Sequence, residues 1–219
     1  MTTTLTEENY LKAIYHLSQK QDSGISTNAI AQKIEAKASS VTDMLKKLAD
    51  KKLISYIKYK GVSLTEKGRL AAVDIIRKHR LWEVFLVDNL NFSWDEVHDV
   101  AEQLEHIKSS KLVNELEAFL GFPTHDPHGD PIPDKDGQIQ RTNKIVLSQT
   151  TLNKRYKCVG VLDSSSEFLK YLDKHNIGIG TEILVLDREE FDQSLTIQIQ
   201  EKTMVMSKAI TSNIYVKQL

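Results

Sequence analysis

The sequence has very little thiol chemistry, with one cysteine, Cys158, among 219 residues. A lone thiol excludes an internal disulfide framework and any zinc site built on cysteines. It also fits a reducing compartment. Proline and glycine are scarce, at 4 and 9 residues, which excludes collagen-like and low-complexity chains. No apolar run approaches the roughly 20 residues that span a bilayer. The opening MTTTLTEENY has neither the basic nor the apolar stretch of a signal peptide. No P-loop, dinucleotide fingerprint or Gly-x-Ser-x-Gly elbow occurs. The expectation is a cytoplasmic protein of one to three domains, with no membrane partner and no catalytic residues.

Charge of one sign is also missing overall, since the net charge is -1, but its distribution is uneven. Residues 1–65 hold 10 lysines against 6 acidic residues, whereas residues 66–140 hold 8 basic against 15 acidic. A basic amino-terminal part suits a polyanion and an acidic middle suits cations. Periodicity divides the chain at similar places. Residues 6–19, 26–35 and 39–52 read as short helices, with Ser26 capping the second and Ser39 or Ser40 the third. Strands Ile54–Tyr59 and Val62–Leu64 follow around Lys60-Gly61. Two helices and a basic hairpin predict a winged helix-turn-helix over 1–65. Residues 66–143 read as a helical domain, with a helix over 66–90 and a Pro-rich linker from 121 that holds all four prolines. Residues 144–219 read as short strands around one helix, a small barrel. The fold class is mainly α with a small β domain.

Two constellations carry chemistry. On the third helix, Ser39, Ser40 and Thr42 can meet base edges, and Lys46 and Lys47 can meet phosphates. Lys58, Tyr59 and Lys60 in the wing add to that DNA-binding set. In the acidic middle, His98, Glu102 and His106 follow one another at i, i+4, Glu105 lies beside Glu102, and His79 and Glu83 repeat the spacing on the preceding helix. So many imidazoles and carboxylates in a small volume call for a divalent cation. The turn His125-Asp126-Pro127-His128 and the pair Asp163 and Glu167 offer further donors, and Cys158 reads as core.

Together these segments resemble the metal-dependent repressors of the diphtheria toxin repressor and manganese transport regulator family, in the long form with a carboxy-terminal SH3-like (FeoA-like) domain. The resemblance is carried by Thr6–Tyr15, Ser39–Met44, Leu64–Gly68, Arg77–Leu81, Val97–His106 and Pro127–Pro133. It implies a regulatory metal site of Glu102, Glu105 and His106 with Asn9 from the first helix. It also implies a second site of His79, Glu83 and His98 helped by Asp126, His128, Asp163 and Glu167. Iron-type members place Cys where this chain has Glu102, and a carboxylate favours Mn(II). Relatives carry Asp or Met at Asn9, which leaves Asn9 and its neighbour Glu8 as alternatives. The short manganese regulators place a glutamate where this chain has Lys12.

The function that follows is a Mn(II)-activated repressor that binds operator DNA as a homodimer and controls manganese or iron uptake genes. An Fe(II)-responsive regulator of the same family is the alternative. A metal-independent winged-helix regulator with a ligand-binding carboxy-terminal domain is a second. A di-iron carboxylate enzyme needs Glu-x-x-His on two helices, and Glu102 is followed at that spacing by Glu105.

Overall fold

The computed structural model describes residues 3–19, 24–57, 61–140 and 143–219. The chain forms two compact units. One comprises Met1–His79, Glu102–Val113 and Pro133–Ile139, and the other Arg80–Ala101, Asn114–Ile132 and Gln140–Leu219.

The first unit begins with three helices and a hairpin. Helix α1 (Leu5–Ser18) is nucleated by a capping box in which the Thr4 hydroxyl accepts from Glu7 N while the Glu7 carboxylate accepts from Thr4 N. Helix α2 (Thr27–Ile34) has the expected Ser26 cap. Helix α3 (Ala38–Asp50) corrects an expectation, because Ser39 and Ser40 lie inside it and its N-cap is Lys37, without a side-chain bond. Ala38, the best helix former, carries the helix one residue ahead of the serines. Strands β1 (Ile54–Ile57) and β2 (Gly61–Leu64) pair antiparallel, with Ile54 opposite Leu64. Leu11, Ile14, Ile30, Val41, Leu45, Leu48 and Val62 form the core, all buried completely. These elements make the winged helix-turn-helix. Glycine is required at position 68, where an added Cβ would lie 1.8 Å from the Leu53 carbonyl oxygen.

Three further helices follow, α4 (Glu66–Leu90), α5 (Val97–Leu104) and α6 (Ser110–Phe119). Val73, Ile76, Leu81 and Val84 of α4 are buried, whereas Leu70 is 43% exposed. No described helix is long and apolar enough to cross a membrane.

In the second unit the carboxy-terminal residues form a six-stranded antiparallel sheet of order β3-β8-β4-β5-β6-β7. Its strands are β3 (Ile145–Val146), β4 (Lys154–Val161), β5 (Glu182–Arg188), β6 (Leu195–Ile199), β7 (Lys202–Met206) and β8 (Ile214–Gln218). Helix α7 (Ser166–Lys174) joins β4 to β5, and the short α8 (Lys208–Thr211) precedes β8. Alternating residues such as Ile183, Val185, Ile197 and Val216 fill the core with Leu169 and Leu172 of α7. Cys158 is fully buried there, as expected.

Candidate metal centre

The capped first turn of α1 presents two glutamates in different directions. Glu7 meets the Lys51 ammonium at the end of α3, at 2.7 Å. Glu8 meets His106 Nδ1 at 2.7 Å and accepts from the Thr3 hydroxyl at 2.6 Å. One turn on, the Lys12 ammonium donates to both oxygens of Glu105, at 2.7 and 2.9 Å, and to Glu102 at 3.3 Å. Glu105 also pairs with His79 Nδ1 at 2.6 Å, and His106 Nε2 lies 3.8 Å from its other oxygen. The Glu105 side chain is only 1% exposed. Burial raises its pKa, but the His79 hydrogen bond and the charges of Lys12 and His79 outweigh burial and hold it below the ordinary value.

Of the expected regulatory set, Glu105 and His106 therefore come together with the first helix. Asn9 is exposed, and Glu8 is the α1 residue facing His106. The reason is helical phase, because one residue turns a side chain by about 100°. Glu102 is half exposed and touches Lys12. The donors suit a hard or borderline divalent ion, being carboxylate oxygens and imidazole nitrogen. The seated ammonium shows that this pocket takes positive charge. Lys12 was legible only as a departure from the family pattern, and no local signal in the sequence announces its pairing with Glu105.

A second cluster is built in the other unit. Asp126 Oδ1 accepts from the backbone of His128 and Asp130, both at 2.9 Å, which fixes the Asp126–Asp130 turn. Gly129 has φ +81°, and an added Cβ would lie 2.1 Å from the Val159 carbonyl oxygen, so the turn is pressed against β4. One ligand atom each from Glu83, Asp126 and His128, all buried residues, lies within 4.8 Å of the others. His98 Nδ1 is 3.4 Å from Glu83. His128 Nε2 meets the Trp94 carbonyl at 2.7 Å, and the two rings stack. Burial pushes His128 down, but the hydrogen bond to Glu83 and its charge raise it to about 9. Burial and the neighbouring charges of Glu83 and Asp130 push Asp126 up. Arg80, which sequence reasoning missed, is 3.4 Å from Asp126 and 3.3 Å from Asp130. Asp163 instead accepts from Ser165 N at the start of α7, and Glu167 is exposed in its first turn.

On α3, Ser39, Ser40, Lys46 and Lys47 are exposed, and Thr42 bonds back to the Ala38 carbonyl at 2.9 Å. Lys58, Tyr59 and Lys60 lie outside the described residues.

The sequence matches the iron-dependent repressor N-terminal DNA-binding domain over residues 1–62 and the repressor metal-binding and dimerisation domain over 65–134. It also matches the FeoA domain over 145–218. A manganese-dependent transcriptional repressor solved in complex with manganese superposes with a TM-score of 0.86 at 34% identity, covering 97% of this chain and all of the other. The chain belongs to the diphtheria toxin repressor family. Another family structure, the manganese regulator SloR, is 37% identical with a TM-score of 0.76 and full coverage of both chains. The iron-dependent repressor IdeR of Mycobacterium tuberculosis is 34% identical over 128 residues, 58% of this chain and 55% of that protein. The chain thus matches about half the length of this curated family member. These relatives are named as transcriptional repressors and regulators.

Proposed function

We propose that this chain is a Mn(II)-activated transcriptional repressor that binds operator DNA as a homodimer in the cytoplasm and controls manganese or iron uptake genes. The observation that carries the reading is the meeting of Glu8, on α1, with His106 beside the buried Glu105. A metal-responsive regulator needs such a site, where one cation can tie the DNA-reading elements to the acidic helices. Manganese is favoured over iron by Glu102, where iron-type relatives carry a thiol, and by the manganese-dependent proteins among its structural relatives.

The regulatory metal would be held by Glu8, Glu105 and His106 with Glu102. A second would be held by Glu83, Asp126 and His128 with His98. The metal supplies a positive charge with fixed directional bonds. The protein supplies the rest. The Thr4 cap orients Glu8, and Glu7 holds the end of α3 through Lys51. A cation that binds best when α1 is held in this position shifts the population toward that arrangement. The exposed Ser39, Ser40, Lys46 and Lys47 then meet DNA.

The test selects duplexes from a random DNA pool with Mn(II)-loaded protein, then measures their binding with Mn(II), Fe(II) or chelator. Operator binding should need metal and should be lost in Glu105→Gln and His106→Ala. Binding that survives chelator overturns the reading in favour of a metal-independent regulator, and activation by Fe(II) alone overturns the choice of manganese.

A further inference from the structure

We propose that Lys12 is a built-in cation of the regulatory centre that an incoming divalent metal must displace, so that this lysine sets the metal concentration at which the protein responds. The inference rests on the reading of Glu8, Glu105 and His106 as regulatory ligands.

Glu8 and Lys12 are one helical turn apart on α1, so they share a face. That face carries one negative and one positive group. Opposite it, His106 and Glu105 offer a proton-binding ring and a carboxylate, and the two pairs interlock at 2.7 Å each. The ammonium straddles Glu105, at 2.7 and 2.9 Å from its two oxygens, and is itself only 14% exposed. It also reaches Glu102 at 3.3 Å. His79 takes up one Glu105 oxygen at 2.6 Å, so His79 and Lys12 together hold that carboxylate.

A metal ion bound by Glu105 and His106 would enter a pocket whose carboxylate is already compensated. Two cations on one buried carboxylate repel strongly, because the surroundings screen them poorly. Lys12 has a long flexible stem and can swing its head toward water. Displacement therefore costs an ion pair, and that cost subtracts directly from metal affinity. The same contact ties α1 to the acidic segment without any metal. In this chain the metal-free state is thus partly closed, and metal exchanges one clamp for another.

The experiment titrates the full-length metal-free protein with Mn(II) by calorimetry, comparing wild type, Lys12→Met, Lys12→Gln and Glu105→Gln. Lysine side-chain nitrogen NMR follows the ammonium in wild type during titration with diamagnetic Zn(II). Lys12→Met and Lys12→Gln should bind Mn(II) at least tenfold tighter, and their metal-free forms should melt at lower temperature than wild type. A protected Lys12 ammonium resonance should be present in the metal-free protein and vanish as the site fills. Affinity that is unchanged or weaker in both Lys12 variants overturns the proposal, as does an ammonium signal that persists in the filled site. Should Glu105→Gln titrate like wild type, the assignment of the regulatory ligands fails instead, so the two failures are distinguishable. If one Lys12 variant does not fold, the other and the NMR measurement still decide.

Discussion

The contact between Glu7 and Lys51 gives a sharp test of how α1 is coupled to the DNA-reading helix. The Glu7 side chain is 6% exposed and that of Lys51 29%. The pair therefore lies between exposed ion pairs, worth about 0–1 kcal/mol, and buried ones, whose breakage costs about 3–5 kcal/mol. In Glu7→Gln one oxygen can still accept from Thr4 N, so the cap survives in part. We expect a loss of about 1–2 kcal/mol for Glu7→Gln and a coupling energy of about 1 kcal/mol in a double-mutant cycle with Lys51→Met. Urea denaturation at pH 7 measures both. Burial raises the Glu7 pKa, but Lys51 and the bonds from Thr4 outweigh it and lower it overall. A carboxyl lowered in the fold contributes stability that is present above its unfolded pKa and is lost as pH falls through the folded one. The coupling should accordingly fade in acid. Operator binding supplies an independent check. Removing a negative charge near DNA would by itself tighten binding, so a roughly fivefold loss of Mn(II)-stimulated affinity in Glu7→Gln reports positioning of α3. Unchanged or tighter operator binding, with coupling below about 0.3 kcal/mol, would refute the reasoning.

Other perturbations probe the remaining elements. Gly129→Ala forces a Cβ to within 2.1 Å of the Val159 carbonyl at φ +81°. It should cost about 2–4 kcal/mol and lower the melting temperature by about 5–10 °C in calorimetry. Cys158 is fully buried and burial pushes its thiol up to about 11. A disulfide reagent should therefore leave it unmodified in native protein at pH 8 and react at once after denaturation. Lys46→Ala and Lys47→Ala should each weaken DNA binding across sequences and lower the slope of log affinity against log salt by about one, read by fluorescence anisotropy.

Much of the fold was legible because it rests on local periodicity. The 25 residues of α4 repeat apolar positions over seven turns, and its bounds were read as they stand. The Ser26 cap and the alternation along β5 and β6 are equally local. What escaped was set by distant partners. Strand β8 lies between β3 and β4, one strand in from the sheet edge, yet its pairing with β4 depends on residues about 60 positions earlier. Arg80 finds Asp126 across 46 residues, and no spacing rule reaches that far. The α1 capping box, Thr4 with Glu7 three residues on, is equally local, although the sequence reading did not single it out. Residue types at Glu102, Glu105 and His106 announced a cation site. Which side chain of the first helix would face them depended on the phase of α1.

That phase has a consequence for coupling. Glu7 and Glu8 are consecutive, so their side chains point about 100° apart from one capped turn. One holds the end of α3, and the other holds His106. Because the capping box fixes both backbone positions, α1 cannot rotate to improve one contact without disturbing the other. A change of ligation at Glu8 is therefore felt at Lys51 without any long chain of intermediates. Asn9 in the same role would leave Glu8 free and would couple to α3 only through the packed core. Under the proposed metal-activated function, the signal would travel through this turn of helix, and the strength of that coupling would depend on the cap that Thr4 provides.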